Sequence, residues 1–119
     1  MTAQKLLLDT VARLERAAQA ARAEAAQRMA ALRELKVAVM MDGDAAPLND
    51  QVLALVADLG DEDQVADICN AHGWQVNDTD GMRPFTEADV CCIVEIDAMP
   101  ANRALRAMAK HRMLAWAPA

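Results

Sequence analysis

Between Val76 and Glu87 the chain reads VNDTDGMRPFTE, which puts Asp78, Asp80, Gly81 and Glu87 at the third, fifth, sixth and twelfth places of an EF-hand calcium loop. Oxygen donors at that spacing would wrap a hard divalent cation. The first place, which should supply a carboxylate, is Val76, and Arg83 followed by Pro84 stands where an aliphatic residue belongs. One ligand lost and one cation added both weaken calcium binding, so the stretch reads as an Asp/Gly turn joining two elements.

Cys69 and His72 have the C-x-x-H spacing that places two zinc ligands on one helix face, with Cys91, Cys92 and His111 available to complete a set of four. A strong zinc signal has two spaced pairs, and only one is present here. Adjacent cysteines on a strand point to opposite faces, so Cys91 and Cys92 could not both contribute. Nothing nearby lowers a thiol pKa or fixes a base beside it, which disfavours a cysteine nucleophile.

A second enzymatic reading takes Asp78 or Asp80 after one strand with Glu95 and Asp97 at the end of another, holding Mg²⁺ for phosphodiester hydrolysis while a basic last helix grips the backbone. The pattern is similar to the carboxylate and E-x-K arrangement of restriction-like nucleases, with Asp97 where that motif has lysine. Without the lysine, transition-state charge goes uncompensated. The chain has no G-x-x-x-x-G-K-[ST], G-x-G-x-x-G or G-x-S-x-G. The helix-turn-helix spacing around ADLGDEDQVADIC would present Asp61, Glu62, Asp63 and Asp67 to phosphates, which disfavours DNA reading.

Composition gives the frame for these residues. With 119 residues, 55% apolar and 25% charged, one domain is expected, its core built from aliphatic side chains because Phe85, Trp74 and Trp116 are the only large aromatic residues. Charge is laid out in three blocks: seven bases and four acids in residues 1–41, Arg83 alone against fourteen acids in 42–97, and four bases without an acid in 98–119. Basic ends folded onto an acidic middle, or charges spread over solvated faces, account for such a layout without a nucleic-acid partner. The opening MTAQKLLLDT lacks the apolar run of a signal peptide or membrane span, and three cysteines form no disulfide framework, so a cytoplasmic, reduced protein is expected.

The clearest element is the first. Arg16 to Leu32, RAAQAARAEAAQRMAAL, has nine alanines in seventeen residues, and all of 3–34 is dominated by strong helix formers. Asp9 with Arg13 and Glu24 with Arg28 stand in the favourable acid-first order for pairs four apart. Leu7, Val11, Leu14, Ala18, Ala21, Ala25, Arg28, Leu32 and Leu35 draw a seam of alternating fours and threes, bulky at its ends and small in its middle. A helix of about 32 residues spans roughly 48 Å, against a diameter near 35 Å for a compact chain of this size, so it must overhang its domain. An overhanging apolar seam calls for cover, and alanine lets a second helix approach to about 8 Å.

Beyond it, residues 36–41 suit either a strand or continuation of the helix, followed by an Asp42–Asp44 turn. Short helices are predicted around Val52–Leu59 and Val65–Cys69, stopped by Gly60 and Gly73. Trp74–Val76 suggests a brief strand. Val90, Cys92, Val94 and Ile96 alternate as a strand would, although Thr86 with Asp89 resembles a helix cap. Pro100 opens an amphipathic last helix with Leu105, Met108, Ala109, Met113 and Trp116 on one face and Arg103, Arg106 and Lys110 on another.

The expected fold is α-rich α+β: residues 1–35 as a long Ala-rich oligomerisation helix and 36–119 as a small domain whose sheet is covered by helices, with an all-α bundle as the alternative. The expected function is a non-catalytic interaction or assembly protein, without cofactor, that self-associates through Leu7, Val11, Leu14, Ala18, Ala21, Ala25 and Leu32 and offers Arg103, Arg106 and Lys110 to a second, acidic partner. A Mg²⁺-dependent nuclease, or a regulatory module binding calcium through Asp78, Asp80 and Glu87 or zinc through Cys69 and His72, is the alternative.

Overall fold

A computed structural model describes residues 2–41 and 46–116. Five helices and one small sheet follow in chain order: α1 (Ala3–Met41), α2 (Leu48–Leu59), α3 (Glu62–Ala71), β1 (Val76–Asp78), β2 (Gly81–Arg83), α4 (Glu87–Glu95) and α5 (Arg103–Trp116). This is the α-rich α+β architecture expected. Its sheet is an antiparallel hairpin pairing Val76 with Arg83 and Asp78 with Gly81, mostly exposed.

The core lies among the four shorter helices. Val52, Leu53 and Val56 of α2, Val65, Ala66 and Cys69 of α3, Val90, Ile93 and Val94 of α4, and Leu105 and Ala109 of α5 are buried together with Phe85. Each helix carries its buried residues at steps of one, three and four, the spacing that keeps them on one face. Local signals set the ends. Gly60 adopts φ 73° and its N–H closes α2 on the Val56 carbonyl, a left-handed cap that glycine takes without a Cβ penalty. The Asp61 carboxylate accepts the N–H groups of Asp63 and Gln64 to start α3, and Asn102 does the same for Ala104 and Leu105 at α5.

Residues 90–96 are not a strand. Thr86 accepts the N–H of Asp89, and the Asp89 carboxylate accepts the N–H of Thr86, forming a capping box that starts α4. Phe85 before the cap and Val90 in the first turn are both buried, the two positions of a hydrophobic staple. The helix also ends at Glu95, so its apolar face never reaches Asp97. Cys92 and Ile96, inward residues in the strand reading, are exposed.

Residues 36–41 are helical too. Leu35 and Ala38 keep one face of α1 turned inward, and no glycine or proline interrupts the run before Met41. The Asp42–Asp44 turn lies outside the described residues. At 39 residues, α1 is about 58 Å long. It reaches the domain only near its C-terminal end, where Arg28 and Ala31 turn toward α5 and Leu35 packs on the core. The described chain measures 68 × 38 × 23 Å, with a radius of gyration of 18.9 Å against the roughly 13.5 Å of a compact chain this long. The helix therefore overhangs its domain.

Candidate interaction surface

On α1, every residue from Ala3 to Gln27 except Thr10 is exposed. Leu7 is 62% exposed, Val11 48% and Leu14 64%, and Leu32, beside the domain, is still 38% exposed. At 3.6 residues per turn, the docked residues Arg28, Ala31, Leu35 and Ala38 share one face, whereas Leu7, Leu14, Ala21, Ala25 and Leu32 centre about 85° around the helix from it.

The predicted seam therefore divides. Its first six members and Leu32 form an exposed stripe, while Arg28 and Leu35 turn toward the domain. Met29, which the four-three spacing missed, takes the place of Arg28 on the stripe and is half exposed. Val39 extends it to the helix end, with Lys36 as its polar interruption. Arg28 pairs with Glu24 at 3.5 Å, as the acid-first spacing predicted. Beside that pair a cleft of about 630 Å³ opens between α1 and the start of α5, lined by Glu24, Arg28, Asn102 and Arg103 among others.

The three basic residues of α5 do not form one surface. Arg103 is exposed, but Arg106 is buried, its guanidinium donating to the carbonyls of Ile93 at 3.0 and 3.1 Å and of Met99 at 2.7 Å. Lys110 reaches the Asp97 carboxylate at 2.9 Å and holds its pKa below the usual range. The basic C-terminal segment thus folds onto the acidic middle at these two points. Arg106 is withdrawn from the expected partner surface because the last carbonyls of α4 need donors.

The metal and enzyme candidates are scattered. Asp78 accepts the N–H of Asp80 inside the hairpin turn and pairs with Arg83, whose guanidinium also grips Asp89 through two hydrogen bonds of 2.6 Å. The Asp80 N–H and the Arg83 side chain hold Asp78 below the ordinary carboxylate pKa, and Arg83 does the same to Asp89. Arg83, the residue that spoils the calcium pattern, is the hub that ties hairpin to helix.

Cys69 faces the core, where burial raises its pKa, whereas His72 is exposed beside Trp74 with ring centroids 5.8 Å apart. C-x-x-H spacing does not make them a pair. Cys91 and Cys92 are neighbours on helix α4, half buried and exposed, and burial raises the Cys91 thiol as well. Among the described residues, no three His, Cys, Asp or Glu side chains are grouped to hold a metal ion. One acidic face does form between α3 and α4: Glu62 is raised by burial and by the charges of Glu87 and Glu95, and Glu87 by Asp63.

No family model matches the chain, and neither a curated protein nor a solved structure does. Among the described residues, no helix is long and apolar enough to cross a membrane. What fold and surface define is a small α-rich domain carrying a projecting helix with exposed apolar side chains.

Proposed function

We propose that this chain is a non-catalytic assembly protein that associates with itself through α1. The observation that carries the reading is the apolar stripe of Leu7, Val11, Leu14 and Leu32, which continues beyond the reach of the chain's own domain. Apolar side chains aligned on one helix face gain by leaving water together, at about 25 cal/mol per Å² removed. The alanines between them let two backbones come close enough for dispersion contacts along the whole overlap. A role as one part of a larger protein assembly suits a short chain with so much of its length outside its core. The free thiols of Cys69, Cys91 and Cys92 support a reducing, cytoplasmic setting.

Sedimentation velocity across the micromolar range tests the reading. The expected result is a mass that rises with concentration to at least twice that of one chain. A single monomeric species throughout would overturn it.

A further inference from the structure

Resting on self-association through α1, we infer that the second copy lies antiparallel on the stripe, in the register that puts Leu7 opposite Leu32, Leu14 opposite Ala25 and Ala18 opposite Ala21. The spacing of the seam reads the same in both directions about the midpoint of Ala18 and Ala21, so reversal keeps every layer in step, Val11 falling opposite the position of Arg28. Reversing one helix sets Leu14 of each copy over the small Ala25 of the other, so the layers step down from Leu on Leu at the ends through Leu on Ala to Ala on Ala at the centre. Parallel in-register packing instead stacks Leu14 on Leu14 and then three successive Ala-on-Ala layers, which demand different spacings.

The flanking charges give independent support. In the antiparallel register, residues following the outer seam positions meet their counterparts across the two-fold axis. Glu15 then faces Arg22 of the second copy, twice per dimer, and Leu8 faces Met29. These four side chains are exposed, and neither Glu15 nor Arg22 makes an ion pair among the described residues. In a parallel pair Glu15 would meet Thr10, and Arg22 would meet Ala17, leaving no complementary charge. The antiparallel arrangement also sends the two domains to opposite ends, because each is attached near the C-terminal end of its α1. The first turns of one copy then cover Leu32 and Met29 of the other.

Two single charge reversals, Glu15→Arg and Arg22→Glu, test this by sedimentation at low salt. Each alone places like charges opposite each other twice, and is expected to weaken association about tenfold, an effect that salt reduces. Mixed in equal amounts, the two variants can form a heterodimer in which both facing pairs are again of opposite charge. The introduced arginine of the first variant meets the introduced glutamate of the second, and the unchanged Arg22 of the first meets the unchanged Glu15 of the second. Native affinity is therefore expected to return on mixing. Native-like association of each variant alone, with no gain on mixing, would overturn the antiparallel register while leaving self-association standing. A native chain that stays monomeric would overturn the self-association beneath it.

Discussion

Arg106 donates two hydrogen bonds from one guanidinium to the carbonyl oxygen of Ile93, at 3.1 Å from Nε and 3.0 Å from Nη2, across the end of α4. A helix C-terminus leaves its last carbonyls without partners and carries partial negative charge, so a buried cation there satisfies both needs. Replacing Arg106 with Met keeps much of the apolar stem but removes every donor. The expected cost is about 2–3 kcal/mol of unfolding free energy, read from urea denaturation. Arg103→Met, on the exposed side, should change stability by less than about 0.5 kcal/mol. Equal effects would mean that Arg106 does not cap α4.

A pH dependence of stability follows from two opposed sets of carboxylates. Asp89, Asp78 and Asp97 are held below their ordinary range by Arg83, the Asp80 N–H and Lys110, so they stabilise the fold above their unfolded pKa, about 3.9, and lose that contribution as pH falls below it. Glu62 and Glu87 are raised above theirs, about 4.3, so the folded chain binds protons more readily and gains stability as pH falls toward that value. Melting temperature is therefore expected to rise from pH 7 toward about pH 5 and to drop steeply below about pH 4. A curve flat from pH 7 to pH 5 would show that the acidic face between α3 and α4 is fully screened.

The hairpin depends on the same arginine. Asp89 both caps α4 and receives the Arg83 fork, so Asp89→Ala removes a capping box and an ion pair together. About 1–2 kcal/mol should be lost. Asp80→Ala leaves those bonds intact and is expected to be nearly neutral. Arg83→Met removes the ion pair and leaves the capping box, so a loss in thermal stability in that variant as well marks a tethered hairpin and no loss a merely adjacent one.

Local signals carried most of the fold because they are short-range. Helix formers define α1, Gly60 and Gly73 close α2 and α3, and the lengths alone required an overhang. Residues 90–96 carry two opposed signals: Val90, Cys92, Val94 and Ile96 alternate as a strand would, while the cap that decides for helix is made by Thr86, Asp89 and Phe85 at and before the first turn. The burial of Arg106 has no local signal at all. It depends on the end of α4 being brought against α5, and only the folded chain shows that juxtaposition. The stripe was legible through Ala25 and again at Leu32; between them domain docking turned Arg28 aside and brought Met29 into line.

Residues 3–27 of α1 have almost no tertiary support, and helices without it are marginal in water even when alanine-rich. Helicity of this segment should therefore depend on concentration. Amide hydrogen exchange is expected to be fast along residues 4–27 at nanomolar dilution and to slow on raising the concentration to tens of micromolar, with residues 31–41 slower in both. Identical protection at the two concentrations would mean that α1 needs no cover.

The face of α1 that makes contact can be located with a single charge. Ala21 lies within the stripe, and Ala23, at 100° per residue, falls nearly opposite it. Both are exposed alanines in the overhang, so either can become glutamate without disturbing the core. Ala21→Glu puts a carboxylate between closely packed backbones, where it must be desolvated or push the helices apart, and roughly a hundredfold loss of association is expected. Ala23→Glu leaves the charge in water and should leave association within about a factor of two. If both substitutions act alike, the alanine run would be a solvated rod and the contact would lie elsewhere on the molecule.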